Sequence, residues 1–206
     1  MPHIVHLMRS IVDDFHAWPL VDLLSVSEEG AHAARCQTSC YRCIQRFGNR
    51  RYHGLLDWRL GIAYLRAMVM PGYTCGLSQY DGRFPEMAGW REHATALAET
   101  AARMRPGALI ASIHAPSGLP CLLEQGRSGP GSAIVVVHPL WSTQGDAGLA
   151  LAGGEDVRFI DTFELERRPL RALEMARGVG RQGNDEGPTP SNTCRHHDTP
   201  ALPGAR

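Results

Sequence analysis

Apolar residues recur at steps of three and four along two stretches in the middle of the chain, and this spacing predicts two helices. The first helix is expected to stop at Pro71-Gly72, and the second, running from about residue 86 to 105, to stop at Pro106-Gly107. Their apolar faces are expected to pack on each other. The inward residues are Leu55, Trp58, Ile62, Leu65 and Val69 in the first helix, and Met87, Trp90, Ala94, Leu97, Ala101 and Met104 in the second.

The pattern changes to strands after residue 108. Residues 109–114, the turn Ala115-Pro116-Ser117-Gly118 and residues 119–124 predict a β-hairpin. Two further apolar runs, 133–137 and 157–161, add one or two strands. We therefore expect a small, mostly antiparallel sheet of three or four strands behind the helices.

The two ends of the chain differ from this central part. Residues 1–19 show no clear period and are interpreted as a lead-in, whereas residues 20–26 and 28–35 have helical character, with Ser27 as a cap between them. Residues 177–206 are rich in Gly, Pro, Asn, Asp and Thr and predict a disordered tail, because they have too few large apolar side chains to offset their ordering entropy. One domain is therefore expected over 20–176.

The charge composition narrows the possible functions. The formal net charge is +0, so any basic surface has to be local, and all 21 basic residues are arginine. Without lysine the sequence cannot supply a P-loop NTPase site or a Schiff-base nucleophile. The sequence has no apolar run of membrane-spanning length, and residues 1–6 do not resemble an export signal. A cytoplasmic protein without a membrane partner is expected.

Three cysteines within eight residues are the strongest chemical signal. Cys40 and Cys43 have the C-x-x-C spacing with which two thiolates of one turn bind the same ion, and Cys36 is four residues before them. A closed, cysteine-rich site of this kind is structural, and Zn²⁺ is the expected metal. Free thiols or a redox pair are the alternative. A tetrahedral ion needs a fourth ligand, for which the candidates, in order of preference, are His53, Cys75 and His32.

Arginine and aromatic residues alternate around the cysteines, a combination suited to nucleic acid because guanidinium groups contact phosphates and rings stack on bases. The alternative is a solvated charged face with the aromatic rings packed under the metal knuckle. Asn49 is expected to cap a helix or bridge a loop carbonyl, and Asp57 and Arg59 to be surface or helix-end charges. The predicted nucleic-acid-binding residues are Arg42, Arg46, Arg50, Arg51, Tyr41 and Phe47, with Tyr52 beside them.

The segment from residue 30 to 70 resembles the MrfA-type zinc-binding domain found at the C-terminal end of DEAD/DEAH-box helicases and in DISARM helicase-associated proteins. The shared elements are the S-C-Y-x-C core at 39–43, Asn49, His53 and the L-D-W-R-L run at 56–60. Residues 138–141 and 161–169 are also similar to such C-terminal regions. The family more commonly has four cysteines, whereas this cluster has three, so the fourth ligand stays open.

The resemblance implies an α+β domain in which a zinc knuckle joins two helices. It also implies an accessory role in DNA processing or phage defence. The protein would be either a detached or truncated C-terminal module or a subunit that works with a separate helicase motor and with DNA. Two other functions stay open at this stage: a zinc- or Cys-dependent hydrolase and a protein-interaction adaptor. The hydrolase would use His114, Cys121 or His138.

Overall fold

The computed structural model describes residues 2–13, 36–76, 80–126, 129–153 and 157–178, which form helices and a four-stranded sheet. The α-helices are α1 (Pro2–Asp13), α2 (Trp58–Val69), α3 (Trp90–Met104), α4 (Gly145–Ala152), α5 (Thr162–Arg167) and α6 (Pro169–Ala176). The strands are β1 (Leu109–His114), β2 (Leu119–Gly126), β3 (Gly129–Val137) and β4 (Val157–Asp161). Two 3₁₀ segments cover Phe47–Leu55 and Pro85–Met87.

The sheet has the order β1-β2-β3-β4, and its first two pairings are antiparallel. The β1–β2 hairpin sets Ser112 opposite Cys121, and β3 and β4 pair in parallel with Ile134 opposite Arg158. A parallel pair needs a crossover connection, and α4 lies in the segment that makes it. The predicted α+β fold with a mostly antiparallel sheet is confirmed.

Helix α3 packs against the sheet through small side chains. Ala94, Ala98 and Ala101 recur at steps of three and four and are buried, so the helix backbone lies close to β1 and β2. Trp90 is buried at the start of the same face. Met104, predicted to point inward, is 46% exposed because it is the last residue of the helix, where the chain turns toward β1.

The large apolar face of α2 does not pack against α3, although the sequence predicted this contact. Trp58, Ile62 and Val69 instead form a second, smaller core with Val12 of α1 and the knuckle cysteines. Only the opposite, small-residue side of α2, represented by Ala63, joins the main core with α3. The predicted packing of the two large faces was wrong because helix periodicity identifies a buried face but not its partner.

A buried ion pair lies between the two cores. Arg66 Nε is 2.7 Å from Glu86 Oε1, and Tyr73 Oη donates to the same oxygen over 2.9 Å. Arg66 Nη1 also donates to the Val12 carbonyl over 3.3 Å. Burial, followed by the Glu86 charge, raises the pKa of the Tyr73 hydroxyl. This network ties α1, α2 and the Pro85–Met87 segment together.

Several predicted features differ from the structure or lie outside its described residues. The predicted lead-in begins with helix α1, whose Val12 is 2% exposed. The predicted helices at 20–26 and 28–35 lie outside the described residues, as does the predicted tail from residue 179 onward. None of the described helices has the length and apolar character that crossing a bilayer requires.

Candidate metal centre and adjoining arginine surface

The sulfur atoms of Cys36, Cys40 and Cys43 converge. Cys43 Sγ lies 3.9 Å from Cys36 Sγ and 3.9 Å from Cys40 Sγ, and all three sulfurs lie within 4.8 Å of one another. A tetrahedral ion with metal–sulfur bonds of about 2.3 Å holds its sulfurs about 3.8 Å apart. The three thiols therefore form a cluster that can bind a metal ion. Among the described residues, no other group of three or more His, Cys, Asp or Glu side chains meets this spacing.

The backbone around the cluster folds into a tight turn that points N–H groups at sulfur. The Cys40 carbonyl accepts from the backbone N–H groups of Cys43 and Gln45, each over 3.1 Å. The Cys40 N–H donates to Cys43 Sγ over 3.0 Å, and the Arg42 N–H donates to Cys40 Sγ over 3.3 Å. Such donors stabilise the thiolate form, which is the form that binds metal.

The Cys36 and Cys40 thiols differ in acidity. Burial, followed by the Cys43 sulfur, raises the pKa of Cys36 to about 12. Burial also raises the pKa of Cys40, but the hydrogen bonds from Arg42 and the neighbouring thiols outweigh it and the net pKa is lowered. Without a cation, Cys40 is therefore more easily deprotonated than Cys36, and Cys36 keeps its proton at neutral pH. Metal binding has to displace the Cys36 proton.

Helix α2 anchors the knuckle through its first turn. Trp58 Nε1 donates to the Cys36 carbonyl over 3.0 Å, and the Trp58 N–H donates to the Thr38 carbonyl over 2.9 Å. Asp57 is the N-cap of α2, because its Oδ1 accepts from the Leu60 N–H over 3.0 Å. Arg59 is half-buried and donates to the Ala88 carbonyl over 2.8 Å. The helix-end role expected for Asp57 is confirmed, whereas Arg59 is tied into the fold.

His53 lies beside the knuckle but is not one of the three converged groups. Its Nε2 is 3.0 Å from the Arg46 carbonyl and 3.0 Å from Asn49 Oδ1. Both partners are acceptors, so Nε2 is the ring nitrogen that donates in this arrangement. The His53 ring also meets the Tyr41 ring edge-on, with 5.3 Å between centroids. His53 as fourth ligand stays a prediction.

Asn49 fixes the loop between the knuckle and His53. Its Oδ1 accepts from the Arg46 N–H over 2.7 Å, and its Nδ2 donates to the Ile44 carbonyl over 2.9 Å. The expectation that Asn49 bridges a loop carbonyl is confirmed. A side chain held at both ends in this way also orients the His53 ring.

The other two candidates for the fourth ligand lie elsewhere. Cys75 is buried in the main core, where its Sγ donates to the Asp81 carbonyl over 2.8 Å, and it is not part of the sulfur cluster. Burial, followed by the Asp81 charge, raises the pKa of Cys75 to about 11, which favours the neutral thiol. His32 lies outside the described residues.

The residues predicted to contact nucleic acid form an exposed surface, called here the knuckle surface. Tyr41, Phe47 and Tyr52 are 68%, 81% and 59% exposed, so the alternative in which the rings pack beneath the knuckle was wrong. The arginines of this surface are Arg42, Arg46, Arg50 and Arg51, and all four are exposed.

The charges of the knuckle surface are not neutralised within the part of the chain that the structure describes, where none of its four arginines forms an ion pair. Arg46 Nη1 donates to the Gln45 carbonyl over 2.7 Å, and the Arg50 guanidinium lies 5.5 Å from the Phe47 ring centroid. The surface thus combines positive charge with open aromatic faces.

The residues of the hydrolase alternative are buried. The register of β1 and β2 puts His114 and Cys121 at diagonal positions on one face of the sheet, where they are 4% and 0% exposed. His114 Nδ1 lies 2.8 Å from Ser117 Oγ. His138 is also buried, and burial lowers its pKa to about 4. His114 and Cys121 thus lie within the packed sheet, whereas the buried His138 also lines a small cavity of about 40 Å³ together with His93 and Glu166.

Arg167 also contacts the site, although no sequence pattern predicted a role for it. Its Nε donates to the Gly54 carbonyl over 2.6 Å, and its Nη2 lies 4.0 Å from Asp57 Oδ2. Helix α5 is thereby held against the segment that follows the knuckle. The available signal was the similarity of residues 161–169 to the helicase-associated domains, which indicated the region but not this contact.

No protein-family model, curated protein or solved structure matches the chain. The resemblance to the MrfA-type domain stays a prediction that rests on the motif residues alone. Cys40 and Cys43 belong to the sulfur cluster, Asn49 and His53 are hydrogen-bonded to each other, and Trp58 anchors the knuckle.

Proposed function

We propose that the protein is a structural-zinc accessory domain of a helicase-like system for DNA processing or phage defence, with no motor of its own. The observation that carries this proposal is the position of a three-sulfur cluster directly beside an exposed surface of uncompensated arginines and aromatic rings. Such a site has the parts of a metal-stabilised nucleic-acid contact.

Zinc is the metal that fits the donor set best. Thiolate ligands at tetrahedral spacing select zinc or an iron–sulfur cluster, and a C-x-x-C turn with a third nearby cysteine is typical of structural zinc. His53 is proposed as the fourth ligand through Nδ1, because its Nε2–H is already directed at a carbonyl and an amide oxygen. A histidine ligand ordinarily donates its other ring N–H in this manner.

The role proposed for the ion is to order the knuckle and the small core. Cys36 and Cys43 are themselves members of that core with Val12, Trp58 and Ile62. Structural zinc contributes roughly 10 to 16 kcal/mol of apparent binding free energy at neutral pH, which is comparable with the stability of a whole domain. The metal would therefore decide whether the knuckle surface has a defined shape.

DNA is the proposed partner of the knuckle surface. Arginine supports contacts to phosphates, and exposed Tyr41, Phe47 and Tyr52 offer faces on which bases can stack. ATP-driven movement would come from a separate helicase motor, because this sequence has no lysine to build a P-loop. Thiols reserved for a metal fit a reducing cytoplasm.

A binding experiment with labelled DNA tests the nucleic-acid part of the proposal. The variant Arg42→Gln/Arg46→Gln/Arg50→Gln/Arg51→Gln should keep its zinc but bind more weakly and with a flatter salt dependence. Each lost phosphate contact reduces the log–log salt slope by about 0.7 on single strands or about 0.9 on duplex. The matched control replaces the same four arginines with lysine, which keeps the charge.

The control variant should retain most of the affinity and of the salt slope. A glutamine variant that holds its metal and binds DNA with unchanged affinity and slope would reject the nucleic-acid role. The protein-interaction adaptor would then become the better account of the same surface.

A further inference from the structure

Two adjoining cavities form a groove that begins at the knuckle surface. The first, of about 320 Å³, lies between the Phe47–Leu55 segment and α5, and its lining includes Arg51, Phe163 and Arg168. The second, of about 410 Å³, runs along β4, α5 and α6 and is lined by Arg168 and Arg171 among others. Glu164 and Arg168 line both cavities, so the two adjoin at these residues, and together they are called here the α5–α6 groove.

The groove shares the uncompensated Arg51 with the knuckle surface and adds two further cations. Arg51, Arg168 and Arg171 are exposed, and within the described ranges none of them is ion-paired. Arg167 is different, because it is engaged by Asp57, Glu166 and the Gly54 carbonyl and forms part of the wall. Three free guanidinium groups therefore follow the groove from its entrance at Arg51 to α6.

The wall of the groove also offers apolar surface. Leu55 is 55% exposed, and Phe163 lies under Arg167, whose guanidinium carbon is 3.7 Å from the ring centroid. A half-buried ring fixed by a stacked guanidinium is a rigid surface against which a base or sugar can pack. Positive charge and flat apolar surface thus occur together along the groove.

We propose that the α5–α6 groove binds the backbone of a single-stranded nucleic acid that continues from the knuckle surface. This inference rests on the proposed function, and it adds the strand form and the path. The cavities have the volume of small-ligand pockets, which are about 300 to 1,000 Å³, and a flexible single strand can enter them. A duplex is a stiff cylinder and would touch only the rim.

Glu164 offers a second test, in which the expected change in binding affinity has the opposite sign. Glu164 belongs to the lining shared by the two cavities, as Arg168 does. A phosphate passing this point is repelled by Glu164 and attracted by Arg168. Removing the negative charge should therefore tighten binding, whereas removing the positive charges should weaken it.

The experiment measures the fluorescence anisotropy of two labelled probes, an oligothymidylate of about 20 nucleotides and a duplex of equal length. The single strand is long enough for a typical single-strand site of roughly 4 to 16 nucleotides. The groove variant is Arg168→Gln/Arg171→Gln. Its charge-matched control is Arg83→Gln/Arg103→Gln, two exposed arginines outside both the groove and the knuckle surface. Each variant is first checked for zinc content and thermal unfolding.

The groove variant should lose about 1.4 from the single-strand salt slope, at about 0.7 per contact, which corresponds to about 25-fold weaker binding at about 0.1 M salt. Glu164→Gln should bind the single strand more tightly than the unchanged protein. Equal behaviour of the groove variant and its control, with the knuckle variant still defective, would overturn the groove and leave the proposed function standing. Failure of the unchanged protein to bind either oligonucleotide would overturn both. Equal losses on duplex and single strand would overturn the proposed strand form.

Discussion

At the residue scale, Asn49 connects the knuckle to the side chain proposed to complete its metal site. Its amide binds Arg46 and Ile44 in the loop after Cys43, and its oxygen also meets His53 Nε2. A neutral histidine held in this way has its lone pair at Nδ1. The contribution of Asn49 to metal binding can therefore be tested in the same way as that of the proposed ligand His53.

His53→Ala should loosen the metal, whereas Cys75→Ala should leave the affinity nearly unchanged. The reason is position, because Cys75 Sγ lies in the main core and donates to the Asp81 carbonyl. Asn49→Ala should weaken binding by about 10- to 100-fold, as is usual for groups that orient a ligand. Competition with a chromogenic zinc chelator measures all three. If Cys75→Ala lowered the zinc affinity more than His53→Ala, Cys75 would be the fourth ligand.

Metal affinity should rise with pH. The Cys36 thiol has its pKa raised to about 12, so at neutral pH the free cluster holds a proton that the metal has to displace. Between about pH 6 and 8 the logarithm of the association constant should therefore increase by at least about one per pH unit. Chelator competition at several pH values tests this. A flat profile would mean that Cys36 is not a ligand.

At the element scale, the first turn of α2 couples the knuckle to the fold. Trp58→Phe removes the hydrogen bond to the Cys36 carbonyl, which should cost about 1 to 3 kcal/mol of unfolding free energy and should lower zinc affinity. Trp90→Phe is the matched control, because Trp90 is also buried but its Nε1 makes no hydrogen bond to the described residues. Urea unfolding with and without zinc compares them. Equal zinc affinity in the two variants would remove Trp58 from the metal site.

The ion pair between the two cores offers a second test at this scale. Glu86→Gln removes the buried carboxylate that pairs with Arg66 and accepts from the Tyr73 hydroxyl, so it should lower the free energy of unfolding by about 3 to 5 kcal/mol. The double variant Arg66→Met/Glu86→Leu removes both charges and should recover much of that loss. Urea denaturation distinguishes the two. A double variant less stable than Glu86→Gln would show that the pair is a net source of stability.

The elements also show what periodicity can and cannot predict. The hairpin and the third and fourth strands were predicted because alternating or continuous β-branched runs end at clear turn residues. Helices α5 and α6 were missed because six and eight residues are too few to display a helical period. The packing of α2 on α1 was missed because it depends on a partner distant in sequence. The cysteine cluster was predicted since its ligands are local.

At the scale of the whole molecule, the cysteine cluster, the small core and the arginine surface form one unit beside α2. Cys36 and Cys43 pack with Val12 and Trp58, and the exposed arginines follow directly in the chain. Loss of the metal should therefore disturb binding and local folding together. Cys40→Ser should unfold the knuckle, which amide hydrogen exchange can follow, while exchange in the β1–β2 hairpin changes little.

The most direct test of the account is the zinc content of freshly purified protein that has never met a chelator. Elemental analysis of the full chain should give about one zinc per molecule, because the three converged thiols together with the proposed His53 ligand would complete a tetrahedral site. Cys40→Ser, purified in parallel, should fall well below that ratio. Protein without zinc, or a Cys40→Ser variant with the same zinc content as the unchanged chain, would contradict the account.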